Sequence, residues 1–403
     1  MNTEENIWKK LESVNFKVST DTRKDSKGSV YFALKGETFD GNKFVLDALK
    51  NGAVGAVTEN EAYVGENIYF VPDVLETLNN IANKYRKLFS IPIIVIGGSN
   101  GKTTSKDLLR DVLRKKYRVH ATEGSLNNHY GVPLSILAML RDSDIGLFEI
   151  GANHPNEHRL LLNIISPTCV VVTNNGMDHL EGFVTPEGVR GANKEIYDWA
   201  KNNKATVFVN KNSEDLMQDS EGCIREIYSK KLIPDTQTFL GFEENGKKYK
   251  TNLVGEYNLE NIDLALSIGE YFKIPLESSL KAVCEYIPMS KRSQLISKNN
   301  ISYIVDCYNA NPSSMKLSIE SFMKTTTNPH GLILGDMLEL GEYSKIEHKK
   351  IARLMDSLNI DCVVYVGSNF KEALGNKTDS SLWFPDSDSA REWFNKQNFA
   401  GYT

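Results

Sequence analysis

IVIGGSNGKTTSKDLLRDVLRKK, residues 94–116, reads as a buried strand, a glycine-rich turn and an amphipathic helix with Lys102 and Thr103 at its start. Glycines let backbone N–H groups converge on phosphate oxygens, and the helix N-terminus adds its positive end. Lys102 is placed to neutralise terminal phosphates, and the Thr103 hydroxyl to ligate magnesium. The usual loop has a further glycine five positions before Gly101, where this chain carries Ile96; Gly97 and Gly98 are expected to take its place. The loop Gly98, Ser99, Asn100, Gly101, Lys102, Thr103 and Thr104 therefore predicts ATP binding. It leaves the reaction open among motor, GTPase and ligase.

Outward from this loop, short apolar runs alternate with helical patterns: IPIIVIGG (91–98), LFEIGA (147–152), TCVVVTNN (168–175) and ATVFVN (205–210). Such alternation predicts an α/β fold with parallel βαβ units and helices on both sheet faces. The pattern restarts near residue 301 with ISYIVDCY, HGLILGD and DCVVYVGS, around the helical stretch SKIEHKKIARLMDSLN (344–359). Before residue 89 the runs SVYFAL (29–34) and GAVGAVTE (52–59) suggest a small α/β unit with few long helices. Three domains are expected, over residues 1–88, 89–288 and 289–403, as the length of 403 residues favours.

Composition narrows the function. With 40% hydrophobic and 25% charged residues the chain is of globular type. A formal net charge of -5 argues against a nucleic-acid partner, which calls for a basic stripe. Cys169, Cys223, Cys284, Cys307 and Cys362 form no Cys-x-x-Cys pair, so reduced and mostly buried thiols are expected. MNTEENIWKK lacks a signal-peptide core and no run approaches a membrane span, which predicts a cytoplasmic chain.

The variant GGSNGKTT resembles the ATP loop of the Mur ligase superfamily. Other segments resemble the branch that acts on a UDP-linked muramoyl tripeptide, in the same order: STDTRK (19–24), FALKGETFDG (32–41), LNNHYGVPL (126–134), EIGANHPNE (149–157), HLEGF (179–183), LVGEYNLENIDLA (253–265), KRSQ (291–294), DCYNANPSSM (306–315) and LGDMLELGEYS (334–344). The resemblance implies a UDP-sugar domain, a central P-loop ATPase domain and a C-terminal Rossmann-like domain. It also implies the reaction: ATP phosphorylates a peptide carboxylate, and an incoming amine attacks the acyl phosphate. The implied partners are UDP-N-acetylmuramoyl tripeptide and D-alanyl-D-alanine, with ATP and Mg2+ as cofactors and a monomer as the working form.

Individual roles follow partly from chemistry. Phosphoryl transfer to a carboxylate brings two anions together, so positive charge must be supplied, and Lys102 and magnesium are the expected sources. Glu149 ends an apparent strand, where open α/β sheets place ligands, and His179 opens the loop after another. By resemblance both are catalytic magnesium ligands, although a solvated strand-end carboxylate and a structural histidine are the plainer readings. His129 and His154 read as loop-ordering residues. Asn258 and Asn261 share one face of a predicted helix; the resemblance gives Asn258 to the adenine, while helix capping would explain it too. Arg292 and Asp306 match positions that meet ATP when the last domain closes, alongside Tyr308, Asn309 and Asn311. Thr22, Arg23, Lys35 and Gly36, with Asn127 and Asn128, are the implied substrate-binding residues.

Two features depart from the family pattern. Relatives carry a carbamylated lysine in a run Ala-Lys-Gly-Glu that supports a second magnesium, whereas this chain reads Ala192, Asn193, Lys194, Glu195. A shift of one helical position turns a side chain by roughly 100°, so Lys194 is expected to point elsewhere. The resemblance also implies that the last domain continues beyond AGYT into a strand with a lysine-glycine-serine-arginine motif. Two alternatives stand beside the leading reading: another ligase of the superfamily, and a catalytically weakened homologue that binds nucleotide or UDP-sugar.

Overall fold

The structure, a computed structural model, describes residues 3–24, 26–36, 38–63, 65–230, 232–236, 239–289, 291–326, 329–375 and 382–403. Strands β1 (Val18–Ser19), β2 (Val30–Phe32), β3 (Gly55–Thr58) and β4 (Ile68–Phe70) form one sheet in that order, each neighbouring pair parallel. β2 and β3 are buried along their whole length, which is why they read as unbroken apolar runs. The helix Val45–Lys50 packs on them through Val45 and Ala48, against Tyr31 and Ala56.

This region holds more helix than the sequence suggested. Thr3–Ser13 and Val74–Arg86 run for 11 and 13 residues. The second buries Val74, Leu78, Ile81, Ala82 and Tyr85, one stripe of a 3.6-residue period. Asp73 caps it, accepting Glu76 N–H at 2.8 Å, a contact of the kind that contributes about 1 kcal/mol.

Next come β5 (Ile93–Gly97), β6 (Val119–Ala121), β7 (Ile145–Glu149), β8 (Cys169–Val172), β9 (Thr206–Asn210) and β10 (Ile224–Tyr228), a sheet in the order β10-β9-β8-β5-β7-β6. β5 is flanked by β7 and β8, and the loops at its carboxyl end lie where such sheets place ligands. The helix Lys102–Leu113 follows β5, and the helix Pro186–Asn203 precedes β9.

An antiparallel sheet of β11 (Ile233–Thr236), β12 (Leu240–Glu244) and β13 (Lys247–Lys250) was not foreseen. Beyond it, β14 (Gln294–Lys298) and β15 (Ile301–Val305) make a hairpin, and β16 (Gly331–Gly335), β17 (Cys362–Val366) and β18 (Leu382–Phe384) a parallel sheet.

By compactness the chain divides into two units: Met1–Val95, Tyr117–Gly151 and Glu157–Cys169 in the first; Ile96–Lys116, Ala152–Asn156 and Val170–Thr403 in the second. Within the second, Leu180, Phe183, Val189 and Ala192 share a core with Ile319, Leu334, Met337 and Leu340. That core holds the residue 180–192 region against the segment after β15. The cysteines are free, yet only Cys169 is fully buried; Cys307 is exposed because it lies in the loop that leaves β15.

Candidate active site

In the second unit the phosphate loop is braced from the carboxyl end of β8. Gly98 has φ 110°, and a Cβ there would lie 2.4 Å from Thr173 Oγ1, so this position takes glycine alone without displacement. Ser99 N–H donates to Asn174 O at 3.0 Å and Ser99 Oγ to Asp178 Oδ1 at 2.6 Å. Asn174 grips Asn100 twice, accepting its N–H at 3.0 Å and donating to its carbonyl at 3.1 Å. Gly101, at φ 80°, opens the helix Lys102–Leu113. Lys102 Nζ donates to the carbonyls of Gly98 at 2.6 Å and Ser99 at 2.8 Å. The ammonium thus waits in the mouth of the loop, and Thr103 and Thr104 form the first helical turn beneath it.

His179 stands in the loop after β8 at φ 49°, its Nδ1 2.5 Å from Glu339 Oε2. Two positions after the helix residue Gly191, Asn193 is buried and donates to Asn175 Oδ1 at 2.9 Å, while Asn175 donates onward to Asp215 Oδ2 at 2.6 Å. Burial opposes ionisation of Asp215, but hydrogen bonds from Ser213 and Asn175 prevail and hold its carboxyl below the ordinary range. Lys194 takes the other direction and pairs with Asp198 at 2.5 Å.

Asn258 and Asn261 face one another on the helix Asn258–Tyr271. Asn261 donates to Asn258 Oδ1 at 2.8 Å and accepts from Ser105 Oγ at 2.9 Å, while Asn258 donates to Val254 O at 2.8 Å. Both amides therefore serve to tie this helix to the phosphate-loop helix.

From the last part of the chain, Asn311 reaches the phosphate loop. Its Oδ1 caps the helix Pro312–Thr325 by accepting from Ser314 N–H at 2.8 Å, and its Nδ2 donates to Asn100 Oδ1 at 2.8 Å. The Arg292 guanidinium lies 3.9 Å from the Tyr308 ring centre, a cation–π stack, and its buried Nε has no hydrogen-bond partner among the described residues. Burial pushes the Asp306 carboxyl above its usual range, against the pull of hydrogen bonds from Ser293 and Ser318 and the Arg292 charge. Asn309 turns back to accept from Ala310 N–H at 2.9 Å.

The first unit holds the remaining candidates. Glu149, at the end of β7, is buried and accepts from Asn127 Nδ2 at 3.0 Å; Asn128 Oδ1 accepts from Gly131 N–H at 2.9 Å, at the start of the helix Gly131–Leu137. Lys35 pairs with Glu59 at 2.5 Å, and its carbonyl accepts from Tyr130 OH at 2.9 Å. His129 lies against Tyr130 with its ring tilted, 4.1 Å between ring centres. Arg23 forks onto Asp21 at 2.9 Å through both Nε and Nη2 and remains exposed. That pair, first through the side-chain bond, lowers the Asp21 pKa to about 2. Thr22 O accepts from Asn51, and Gly36 has open space where a Cβ would stand. Asn174, Asp178 and Glu339 escaped the sequence reading. The first two were signalled only by their place at a strand's carboxyl end, and Glu339 by no local pattern.

Three family models match in order: the Mur ligase family catalytic domain over residues 17–87, the Mur ligase middle domain over 96–269, and the Mur ligase glutamate ligase domain over 291–394. The chain belongs to the Mur ligase family, with its three-domain α/β architecture. It is 32% identical over 370 residues to the UDP-N-acetylmuramoyl-tripeptide–D-alanyl-D-alanine ligase of Bacillus subtilis, covering 87% of this chain and 79% of that one. The crystal structure of MurF from Acinetobacter baumannii superposes with a TM-score of 0.83 at 25% identity, covering 94% of this chain and 86% of that chain. MurF from Thermotoga maritima, solved in complex with ADP, shares the fold at a TM-score of 0.82 and 24% identity, with 96% and 92% covered.

Proposed function

We propose that the chain is an ATP-dependent ligase that joins D-alanyl-D-alanine to UDP-N-acetylmuramoyl tripeptide. The observation that carries the reading is the braced phosphate loop with Lys102 in its mouth, in a chain similar along most of its length to ligases of that name. The γ-phosphoryl group of ATP passes to the peptide carboxylate, giving an acyl phosphate and ADP. The amine of D-alanyl-D-alanine then attacks the carbonyl, and phosphate leaves as the amide forms. Lys102 supplies positive charge where the phosphoryl group moves, and the Arg292 guanidinium meets the phosphates from the last domain.

Magnesium fits the residues present. Thr103 offers a hydroxyl and Glu149 a buried carboxylate, oxygen donors of the kind preferred by an ion that otherwise keeps its waters and shares substrate phosphates. Thr103, Glu149 and His179 would hold it, and it would neutralise charge at the phosphates. Ser99, Asn100 and Gly101 cradle the phosphates, and Asp306, from the last domain, meets the ribose or a cation. Asn258 is the residue that holds the adenine in this reading, its amide donating to Val254 O in the structure. Thr22, Arg23, Lys35, Gly36, Asn127 and Asn128 take the UDP-sugar peptide, with domains over 1–88, 89–288 and 289–403. Among the described residues no helix is long and apolar enough to cross a membrane, and the same reading takes the enzyme to work in the cytoplasm as a monomer.

A weakened homologue is the second reading, favoured by Asn193 in place of a lysine. ADP release with UDP-N-acetylmuramoyl tripeptide, with and without D-alanyl-D-alanine, separates the two. The ligase requires both substrates for turnover. Lys102→Ala should lower it by more than about 100-fold, as loss of a group that stabilises transition-state charge does. Turnover with another amine alone, or none, would reject the assignment.

A further inference from the structure

His179 and Glu339 are both non-glycine residues in the left-handed region, at φ 49° and 61°, and their side chains meet. Long side chains avoid this region because Cβ crowds the neighbouring carbonyl. Such residues persist where their surroundings force them, and they gather at functional sites. Here the forcing contacts are visible. Glu339 O accepts from Glu181 N–H at 2.9 Å, and His179 O accepts from Gly182 and Phe183 N–H at 3.0 Å. Leu340 shares a core with Leu180 and Phe183, and a Cβ on Gly341 would lie 3.3 Å from Glu181 Cα.

The backbone clamp alone would join the two segments, so the side-chain contact is additional. At 2.5 Å two facing lone pairs would repel, so the contact favours the ring form that carries its hydrogen on Nδ1. The ring N–H points off the line to the carboxylate, and Nδ1 makes no aligned hydrogen bond; contacts of this kind often tighten only when ligands bind. With Nδ1 protonated, the neutral ring carries its lone pair on Nε2.

We infer that Glu339 is a positioning residue that fixes the Nδ1–H tautomer of His179 and so aims Nε2 as the ligating nitrogen. Carboxylates commonly set metal-facing imidazoles in this way. Glu339 lies within the segment matched by the glutamate ligase domain and His179 within the middle domain, so the histidine is set only while those domains meet. The inference rests on the proposed ligase reading, in which His179 faces the metal of the nucleotide.

Glu339→Gly and Glu339→Gln test it on the full chain. Ring NMR of the 15N-histidine-labelled protein without ligands, assigned with His179→Gln, should show Nδ1–H at His179 in the wild type and in Glu339→Gln, which keeps an acceptor oxygen. Glu339→Gly should lose that signature. Its melting temperature should be unchanged or higher, because glycine relieves the left-handed backbone. Mn2+ binding in the presence of ATP should weaken about 10–100-fold, and kcat should fall by a similar factor. Glu339→Gln should recover most of both. An Nε2–H ring in the wild type, unchanged ring signals and Mn2+ affinity in Glu339→Gly, or a lower melting temperature accompanying the lost activity would each overturn the inference. Absence of ligase turnover in the wild type would count against the proposed function instead, and the ring and melting measurements would still decide the role of Glu339.

Discussion

Replacing Gly98 with alanine adds a single methyl group at the most crowded point of the phosphate loop. The residue sits at φ 110°, and the new Cβ would fall 2.4 Å from Thr173 Oγ1, 2.7 Å from Thr173 N and 3.1 Å from Asn174 N. Two of those atoms are backbone, and the third is held by Thr173 Oγ1 donating to Gly97 O at 3.3 Å, so the loop has to move. The disfavoured backbone costs about 1–3 kcal/mol, and the overlap a further 1–3 kcal/mol or so. A total near 2–6 kcal/mol would lower the melting temperature of a region of this size by roughly 5–20 °C. The same shift pulls Ser99 and Asn100 from Asn174 and Asp178, so ADP affinity measured by calorimetry should fall at least about tenfold, the equivalent of 1.4 kcal/mol. A variant that melts within about 2 °C of the wild type and binds ADP equally well would show that the loop is not braced as described.

Gly191 gives the opposite result. It is exposed within the helix Pro186–Asn203, with no atom within 4 Å of its would-be Cβ, so Gly191→Ala should stabilise the chain by about 0.5–1 kcal/mol; a lower denaturation midpoint would contradict this. Asp21 has its pKa lowered from 3.8 to about 2 by Arg23. The pair's contribution is present above the unfolded value and lost as pH falls through the folded one, so Asp21→Asn should lower stability slightly at neutral pH, flatten the acid limb between those values and leave stability below the folded value unchanged. An unaltered acid limb in a pH titration of stability would remove the pair from the account.

Much of the central region was legible because one signal decides it: a strand, a glycine turn and Lys102 in sequence leave little freedom. The hairpin of β12 and β13 was equally legible and was passed over. Asn245 and Gly246, at φ 52° and 74°, are the residues a two-residue hairpin turn asks for. The stripe Val74, Leu78, Ile81, Tyr85 also carries a helical period, hidden from a reading that looked for strands. The contacts of Asn258 lay beyond the sequence for a different reason. Its spacing to Asn261 placed both amides on one face, but Ser105, which commits Asn261, is 156 residues away. Glu339 is the limiting case, since the pairing with His179 depends on a core shared by two domains and on two left-handed residues that no local pattern announces.

The displaced lysine brings these levels together in a final prediction. A carbamate forms when a neutral lysine amine captures carbon dioxide, and an ordinary lysine is an ammonium at neutral pH. Lys194 Nζ donates to Asp198 at 2.5 Å, four residues along the same helix, and its side chain is 43% exposed. Asn193 instead takes the inward direction at 5% exposure, its amide fixed by Asn175 and, through it, by Asp215. Because Nδ2 is spent on Asn175, the group Asn193 can offer a cation is a neutral carbonyl oxygen, a weaker ligand than a carbamate anion. The chain should therefore show an unmodified Lys194 by intact mass, no response of turnover to bicarbonate, and a higher magnesium requirement than a relative with the lysine in register. Asn193→Lys with Lys194→Gly restores a lysine at the buried position beside Asn175, and should both lower the magnesium requirement and introduce a bicarbonate response. A carbamate on Lys194 in the wild type, or bicarbonate activation that needs no substitution, would mean that the helix opens far enough to turn Lys194 inward, and that Asp198 releases it under turnover.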